Sequence, residues 1–157
     1  MNPKVAVISF WWGDWPEDNP KLGAEYVRRL RDSVFRHSTV PVDFKVFLDL
    51  DKYFGNDLEH IGRYLIPSRF VDMRWNLKKI SMFSNWAGLL EYEWVVAMDL
   101  DIVINSNIDF LLNHRSPALM TCMAAYQKNI GGSIIGFQPS QERSEEHTSE
   151  LQSRSDL

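Results

Sequence analysis

Residues 94–104 read WVVAMDLDIVI, a run of apolar residues that two carboxylates interrupt near its end. The first part of the run predicts a strand covered on both faces, because such strands read as continuous apolar stretches. Asp99 and Asp101 are two residues apart, and alternate residues of an extended chain point to the same side. Burying two carboxylates side by side is costly unless a cation accompanies them. The stretch therefore predicts a divalent cation, magnesium or manganese, of the kind that usually carries substrate phosphates.

The rest of the chain alternates apolar runs with amphipathic stretches. Further strands are predicted at 5–10, 44–48, 69–73, 118–124 and 133–137, with a turn at Gly131 and Gly132. Helices are predicted at 22–37, around 58–65, at 76–91 and at 107–112, and the clearest apolar face belongs to 76–91. This alternation predicts an α/β fold with a mostly parallel central sheet flanked by helices. In such sheets ligands bind outside the carboxyl ends of the strands, where Asp99 and Asp101 would lie.

The end of the chain has a different character. Residues 143–153 read RSEEHTSELQS, which looks like an in-frame translation of a common DNA-sequencing adapter. The string has few apolar residues and no periodicity, so we leave it out of the fold argument; a natural solvated tail is the alternative. We divide the chain into 1–142, the N-terminal part of one domain, and 143–157, a non-native disordered tail. The natural protein is then expected to continue past Ser140.

Composition narrows the classes of function. The 157 residues suit one domain, and 45% hydrophobic with 13% aromatic residues suits a packed core. The tail contains two basic and four acidic residues, so the net charge changes from −4 to −2 without it. This near-neutral balance gives no electrostatic case for binding nucleic acid or an anionic membrane. The apolar run at 5–10 is too short for a membrane helix and precedes no signal-cleavage site, so we expect a soluble, cytoplasmic chain.

The region 75–112 resembles the centre of a GT-A glycosyltransferase of family 8, the glycogenin and galactosyltransferase group. In that family a Lys-Leu-x-x-Trp helix precedes an apolar strand ending in Asp-x-Asp. Here Lys79-Ile80-Ser81-Met82-Phe83 precedes the run that contains Asp99 and Asp101. The resemblance extends more loosely over residues 5–139. It implies a GT-A, Rossmann-like nucleotide-diphospho-sugar transferase fold, incomplete at the C-terminus. It also implies hexose transfer from a nucleotide sugar, with a UDP-sugar as first choice, to a hydroxyl of a glycan, lipid or protein.

The same resemblance assigns roles to individual residues. Asp101 would bind the Mn²⁺ or Mg²⁺ that bridges the donor diphosphate, and Asp99 would contact the ribose and share the metal. Lys79 matches a family lysine near the donor, although about four extra residues separate it from Asp99, roughly one helical turn. An ordinary solvated lysine is the alternative for Lys79.

The first strand and the loop after it hold the nucleoside in the family. Ser9, Trp11 and Trp12 occupy that place here, and an aromatic face can stack on a nucleobase. Packing is the alternative for the tryptophans. Residues 131–139 resemble a later glycine-containing segment of the family, for which a tight turn is the simpler interpretation.

The family's third metal ligand, often a histidine, comes from a segment beyond Ser140. His37, His60 and His114 stand in no matching motif, and His147 lies in the adapter-like tail. The acceptor-binding half is also expected beyond Ser140. The chain alone could therefore be inactive, and the sugar, the base, the acceptor and the stereochemistry stay open.

Other interpretations remain. Asp49 and Asp51 form a second carboxylate pair, but Lys52 and Tyr53 follow where a haloacid-dehalogenase-like phosphatase has a small residue and threonine. A solvated loop is the simpler interpretation of that pair. A nucleotidyltransferase would share the sheet and the metal chemistry, although the Trp-rich loop offers no glycine-rich phosphate cradle. A noncatalytic carbohydrate- or protein-binding domain using Trp11, Trp12 and Trp15 is the third class.

Overall fold

The computed structural model describes residues 4–11, 24–49, 61–73, 75–84, 88–116, 120–123 and 130–139. The strands are β1 (Val5–Trp11), β2 (Val42–Leu48), β3 (Gly62–Leu65), β4 (Trp94–Met98), β5 (Met120–Met123) and β6 (Ile130–Phe137). The α-helices are α1 (Ala24–Arg36), α2 (Ser68–Val71) and α3 (Asp109–Leu112). Two 3₁₀ stretches, Trp75–Phe83 and Leu89–Glu91, lie between α2 and β4. The first is called the dilysine segment below, because it contains Lys78 and Lys79.

The described strands form one six-stranded sheet in the order β3-β2-β1-β4-β6-β5. The strands β3, β2, β1 and β4 are parallel, whereas β6 runs antiparallel to β4 and β5 runs antiparallel to β6. The predicted α/β fold with a mostly parallel sheet is therefore confirmed. Because β2 and β4 both pair with β1, the carboxyl ends of these three strands share one edge, which we call the carboxyl edge.

Both faces of the sheet are covered, and this explains the continuous apolar runs of its strands. Val5 and Val7 of β1 pack with α1 on one face, whereas Ala6 and Ile8 pack with Met82 of the dilysine segment on the other. Alternate residues of a strand point to opposite faces, so a strand buried on both sides needs apolar residues at every position. The dilysine segment is thereby held against the sheet.

The predicted helix at 76–91 is wrong as a regular α-helix. Ser81 donates its hydroxyl to the carbonyl of Lys78 at 2.7 Å, and Ser84 does the same to the carbonyl of Ser81 at 2.7 Å. Such side-chain bonds to the backbone compete with regular helical bonding. Gly88 has φ 63°, a left-handed conformation that glycine adopts without strain and that interrupts a right-handed helix.

Two other predicted elements are also wrong. The expected helix around 58–65 is in part the strand β3, which pairs with Lys45–Leu48 of β2, and residues 51–60 lie outside the described residues. The expected strand at 69–73 is largely α2, whose Phe70 is buried in the core. A short apolar segment can form a strand or a helix, and its packing against the rest of the fold decides which one forms.

Gly131 and Gly132 lie inside β6 and do not form the predicted turn. The strand β6 pairs there with β5, and the register shifts between Thr121 and Cys122. Glycine inside a strand often accompanies such an irregularity.

The remaining predicted elements are confirmed with small changes at their ends. Residues 22–37 contain α1, 118–124 contain β5, and the strands at 5–10 and 44–48 are each extended by one or two residues. At 107–112 the side chain of Asn107 accepts the backbone N–H of Asp109 at 2.8 Å, at the start of α3.

In the described part of the chain no helix has the length and apolar character that crossing a membrane requires. The division at residue 142 stays a prediction, because 140–157 lie outside the described residues.

Candidate functional site at the carboxyl edge

Asp99 and Asp101 follow β4 at the carboxyl edge, as the sequence predicted, but not on an extended strand. The strand ends at Met98, and the chain then turns, with the N–H of Ile102 donating to the carbonyl of Asp99 at 3.3 Å. The expectation that strand alternation aligns the two carboxylates is therefore wrong. Asp99 and Asp101 are the first and third residues after the strand, so both still lie in the turn at the carboxyl edge.

Asp99 is anchored on two sides. Its backbone N–H donates to the carbonyl of Ser133 in β6 at 2.9 Å, and its carboxylate forms an ion pair with Lys79. The Lys79 side chain is 12% exposed and that of Asp99 is 29% exposed, so water screens this pair less than it screens a surface pair. The structure thus brings Lys79 to Asp99 although the intervening chain is not one α-helix.

Asp101 has a different environment. It is exposed, and its carboxylate forms no hydrogen bond or ion pair with any residue that the structure describes. Its oxygens are therefore open to a ligand from solution. Asp99 supplies a held carboxylate and Asp101 an open one, from the same turn.

This donor set suits a hard divalent cation only in part. No group of three or more His, Cys, Asp or Glu side chains that could hold a metal occurs among the described residues. Magnesium is commonly bound by one or two carboxylates with substrate phosphates completing the shell, so a pair of aspartates fits a substrate-bridging ion. His114 lies apart, with its ring 5.4 Å from that of Trp94. His60 and His147 lie outside the described residues.

A cleft of about 270 Å³ opens beside Asp99. Its walls come from the dilysine segment, the end of β4 and β6, and are formed by Lys79, Ile80, Met82, Phe83, Asp99, Ser133 and Ile135. The lining therefore combines charged and hydroxyl groups with apolar side chains. Such a cleft can bind a ligand that has both hydroxyl or charged groups and an apolar surface.

The predicted nucleoside residues of β1 have mainly structural contacts. Ser9 is fully buried and donates its hydroxyl to the carbonyl of Met98 at 2.7 Å, which links β1 to β4. Trp11 is half-buried and packs on the α1 face of the core. Trp12 and Trp15 lie outside the described residues. In this conformation the Ser9 hydroxyl is turned to the protein, and a role for Trp11 toward a base stays a prediction.

The sequence interpretation missed a second ion pair at the same edge. Lys78 Nζ lies 2.9 Å from Asp49 Oδ2, and the two side chains are only 2% and 1% exposed. The interpretation of Asp49 as part of a solvated loop is therefore wrong, whereas Asp51 lies outside the described residues. A signal existed in the sequence: an aspartate directly after a buried strand, and a lysine beside Lys79 within a mainly apolar segment.

Comparison with known proteins finds likeness in structure alone. No protein-family profile matches the chain, and no curated protein matches its sequence. Among solved structures, the apo form of the glycosyltransferase GlyE from Streptococcus pneumoniae TIGR4 is similar, with a TM-score of 0.62 and 10% sequence identity. The match covers 99% of this chain and 39% of the GlyE chain, so this chain spans well under half the length of GlyE. The chain therefore shares its α/β fold with part of a glycosyltransferase.

Proposed function

We propose that this chain is the donor-binding part of a metal-dependent glycosyltransferase, which transfers a hexose from a nucleotide sugar to an acceptor hydroxyl. The observation that carries the proposal is the ion pair of Lys79 with Asp99 at the carboxyl edge, with the exposed Asp101 two residues further on in the same turn. Ligands of open α/β sheets bind at this edge. The fold shared with GlyE is compatible with the proposal and does not by itself establish it.

In this proposal Asp101 and Asp99 hold Mn²⁺ or Mg²⁺ together with the donor diphosphate. Asp101 offers open oxygens, and Asp99 is held in place by β6 through its backbone. When bound, the cation supplies positive charge that stabilises the departing nucleoside diphosphate. Lys79 adds a second positive charge at the same corner and orients the Asp99 carboxylate.

The cleft beside Asp99 is the proposed place for the sugar part of the donor. Lys79, Asp99 and Ser133 would hydrogen-bond its hydroxyls, and the apolar side chains of Met82 and Phe83 would contact a ring face. Trp11 and Trp12 remain the proposed stacking residues for the base, with a UDP-sugar as the first donor to try. The acceptor is a glycan, lipid or protein hydroxyl.

The experiment is a turnover assay with a panel of nucleotide sugars and Mn²⁺, in which release of nucleoside diphosphate is measured with and without simple acceptors. We expect Asp101→Ala to lower turnover by about 100-fold or more, because the charge on the leaving group loses its counter-ion. Asp32→Ala is the matched control, since Asp32 is an exposed carboxylate on α1 and should leave turnover unchanged.

Two outcomes would contradict the proposal. Turnover that survives Asp101→Ala would remove the carboxylate pair from the mechanism. Binding of carbohydrate without nucleotide or metal, in the absence of any turnover, would favour a noncatalytic binding domain.

A further inference from the structure

Two consecutive lysines of the dilysine segment reach two different strands of the sheet. Lys78 pairs with Asp49, which follows β2, and Lys79 pairs with Asp99, which follows β4. The strands β2 and β4 lie on opposite sides of β1, so they are two strand spacings apart, about 9.5 Å. The segment therefore lies across the carboxyl edge with one ion pair on each side of β1.

The buried pair is a poor device for stability alone. Both charges of Lys78 and Asp49 are almost completely removed from water, and the desolvation penalty of such a pair can exceed its Coulombic gain. An apolar pair of similar size would hold the segment as well or better. What an ion pair adds is a defined partner and geometry, since a buried charge tolerates few alternative positions.

The segment needs such a constraint. It is nine residues long in a 3₁₀ conformation, and 3₁₀ runs beyond three or four residues are uncommon because their hydrogen bonds are poorly aligned. Apolar contacts such as that of Phe83 with Phe137, with ring centroids 4.8 Å apart, hold its far end. The ion pair of Lys78 adds a contact at the lysines themselves, which precede Phe83 by five and four residues.

We propose that the buried Lys78–Asp49 ion pair is a positioning device, which fixes the dilysine segment across the carboxyl edge and thereby aims Lys79 at Asp99 and the donor cleft. Lys78 and Asp49 then act through Lys79 and do not themselves contact the ligand. The consequence for the donor rests on the proposed function, whereas the placement of Lys79 does not.

The test uses the double variant Lys78→Met/Asp49→Leu, which removes both charges together and leaves no buried charge without a counter-charge. The matched control is Lys4→Met/Glu93→Leu, which removes an exposed ion pair whose side chains are 69% and 50% exposed. The first readout is the rate at which a small amine-reactive reagent labels Lys79 in the folded chain. Peptide mass spectrometry measures this rate. The expected result is several-fold faster labelling of Lys79 in the first variant and the wild-type rate in the control.

The second readout is the affinity for a nucleotide sugar in the presence of Mn²⁺. We expect the first double variant to bind about 10- to 100-fold more weakly, because a displaced Lys79 no longer offers its charge to the donor diphosphate. In a Lys79→Met background the same double change should have little further effect, because residues that act through one another are not additive.

The outcomes separate the two proposals. Three outcomes would each overturn the positioning role. One is unchanged labelling of Lys79, and another is additive losses of affinity in the Lys79→Met background. The third is a variant that no longer folds, in which labelling rises at all lysines alike. Faster labelling of Lys79 in a chain whose wild type binds no nucleotide sugar would support the positioning role and contradict the proposed function.

Discussion

At the scale of single residues, the pairing of Lys79 with Asp99 has a direct consequence for metal binding. The ammonium group pairs with Asp99 Oδ1, so a divalent cation that binds this carboxylate would compete with Lys79 for it. Asp101 has no such competitor among the described residues. A donor diphosphate would remove the competition, because its negative charge can attract the metal ion and the Lys79 ammonium at the same time.

The variant Lys79→Met tests this competition. Without the ammonium, Mn²⁺ alone should bind more tightly, by about tenfold, since a hydrogen bond to a charged group is worth about 1.5–3 kcal/mol. The joint affinity for Mn²⁺ and nucleotide sugar should fall, because the diphosphate loses a positive partner. Calorimetry with Mn²⁺ alone and with both ligands gives the two numbers, and Lys4→Met is the exposed control. If both affinities rise or both fall, the role assigned to Lys79 is contradicted.

The residues of the site differ in how far sequence could predict them. Asp99 and Asp101 follow an apolar run, and that local pattern is enough to place them at the end of a strand. The burial of Ser9 and of Asp49 depends on Met98 and Lys78, which are distant in sequence. Periodicity contains no information on such partners.

At the scale of elements, α3 is tied to the connection between α1 and β2 through one carboxylate. Asp109 accepts the backbone N–H of Thr39 at 2.8 Å and its hydroxyl at 2.6 Å, and the amide of Asn107 at 3.0 Å. These hydrogen bonds favour the ionised form and lower the pKa of Asp109 to about 2, with the Thr39 hydroxyl as the largest cause.

The pH dependence of unfolding follows from this lowered pKa. Ionised Asp109 contributes its stability fully above its ordinary pKa of 3.8, and this contribution is lost as the pH falls through about 2. The thermal unfolding temperature of the wild type should therefore fall over this pH range more than that of Asp109→Asn. In Thr39→Val, carbon-detected NMR titration should show the pKa of Asp109 moving up toward 3.8. An unchanged pKa in Thr39→Val would remove the hydroxyl as its cause.

Tyr92, just before β4, is tied to β2. Its hydroxyl donates to Asp43 Oδ2 at 2.5 Å, and burial, followed by the neighbouring Asp43 carboxylate, raises the pKa of Tyr92 above its usual range. Tyr92→Phe should lower the free energy of unfolding by about 1.5–3 kcal/mol, because a hydrogen bond to a charged acceptor is lost. Tyr26→Phe is the control, with an expected change within about 0.5 kcal/mol. Urea denaturation measures both, and equal losses would mean that the bond to Asp43 contributes little.

Element boundaries were predictable where the apolar pattern is long, as in α1 and β4. The stretch 76–91 has helical spacing, but hydroxyl bonds from Ser81 and Ser84 and the left-handed Gly88 divide it. Spacing alone cannot distinguish a 3₁₀ run from an α-helix over so few turns. A strand formed where a helix was predicted around 58–65, and a helix where a strand was predicted at 69–73, for a similar reason. Four-residue elements take their form from what they pack against.

At the scale of the whole molecule, the sheet topology creates the site. The two parallel neighbours of β1 deliver Asp49 and Asp99 to one edge, and the antiparallel β6 closes the side of the cleft through Ser133 and Ile135. Alternating strands and helices predicted the parallel part of the sheet. The antiparallel insertion of β6 between β4 and β5 was not predicted, because strand order depends on pairings between residues far apart in sequence.

The most direct test of the central claim is calorimetric titration of a UDP-sugar, and then of other nucleotide sugars, into the wild-type chain with Mn²⁺ and with a chelator. The account predicts saturable binding at one site with Mn²⁺, its loss with the chelator, and its loss in Asp99→Asn/Asp101→Asn. Absence of Mn²⁺-dependent binding for every nucleotide sugar, or equal binding with the chelator, would contradict it.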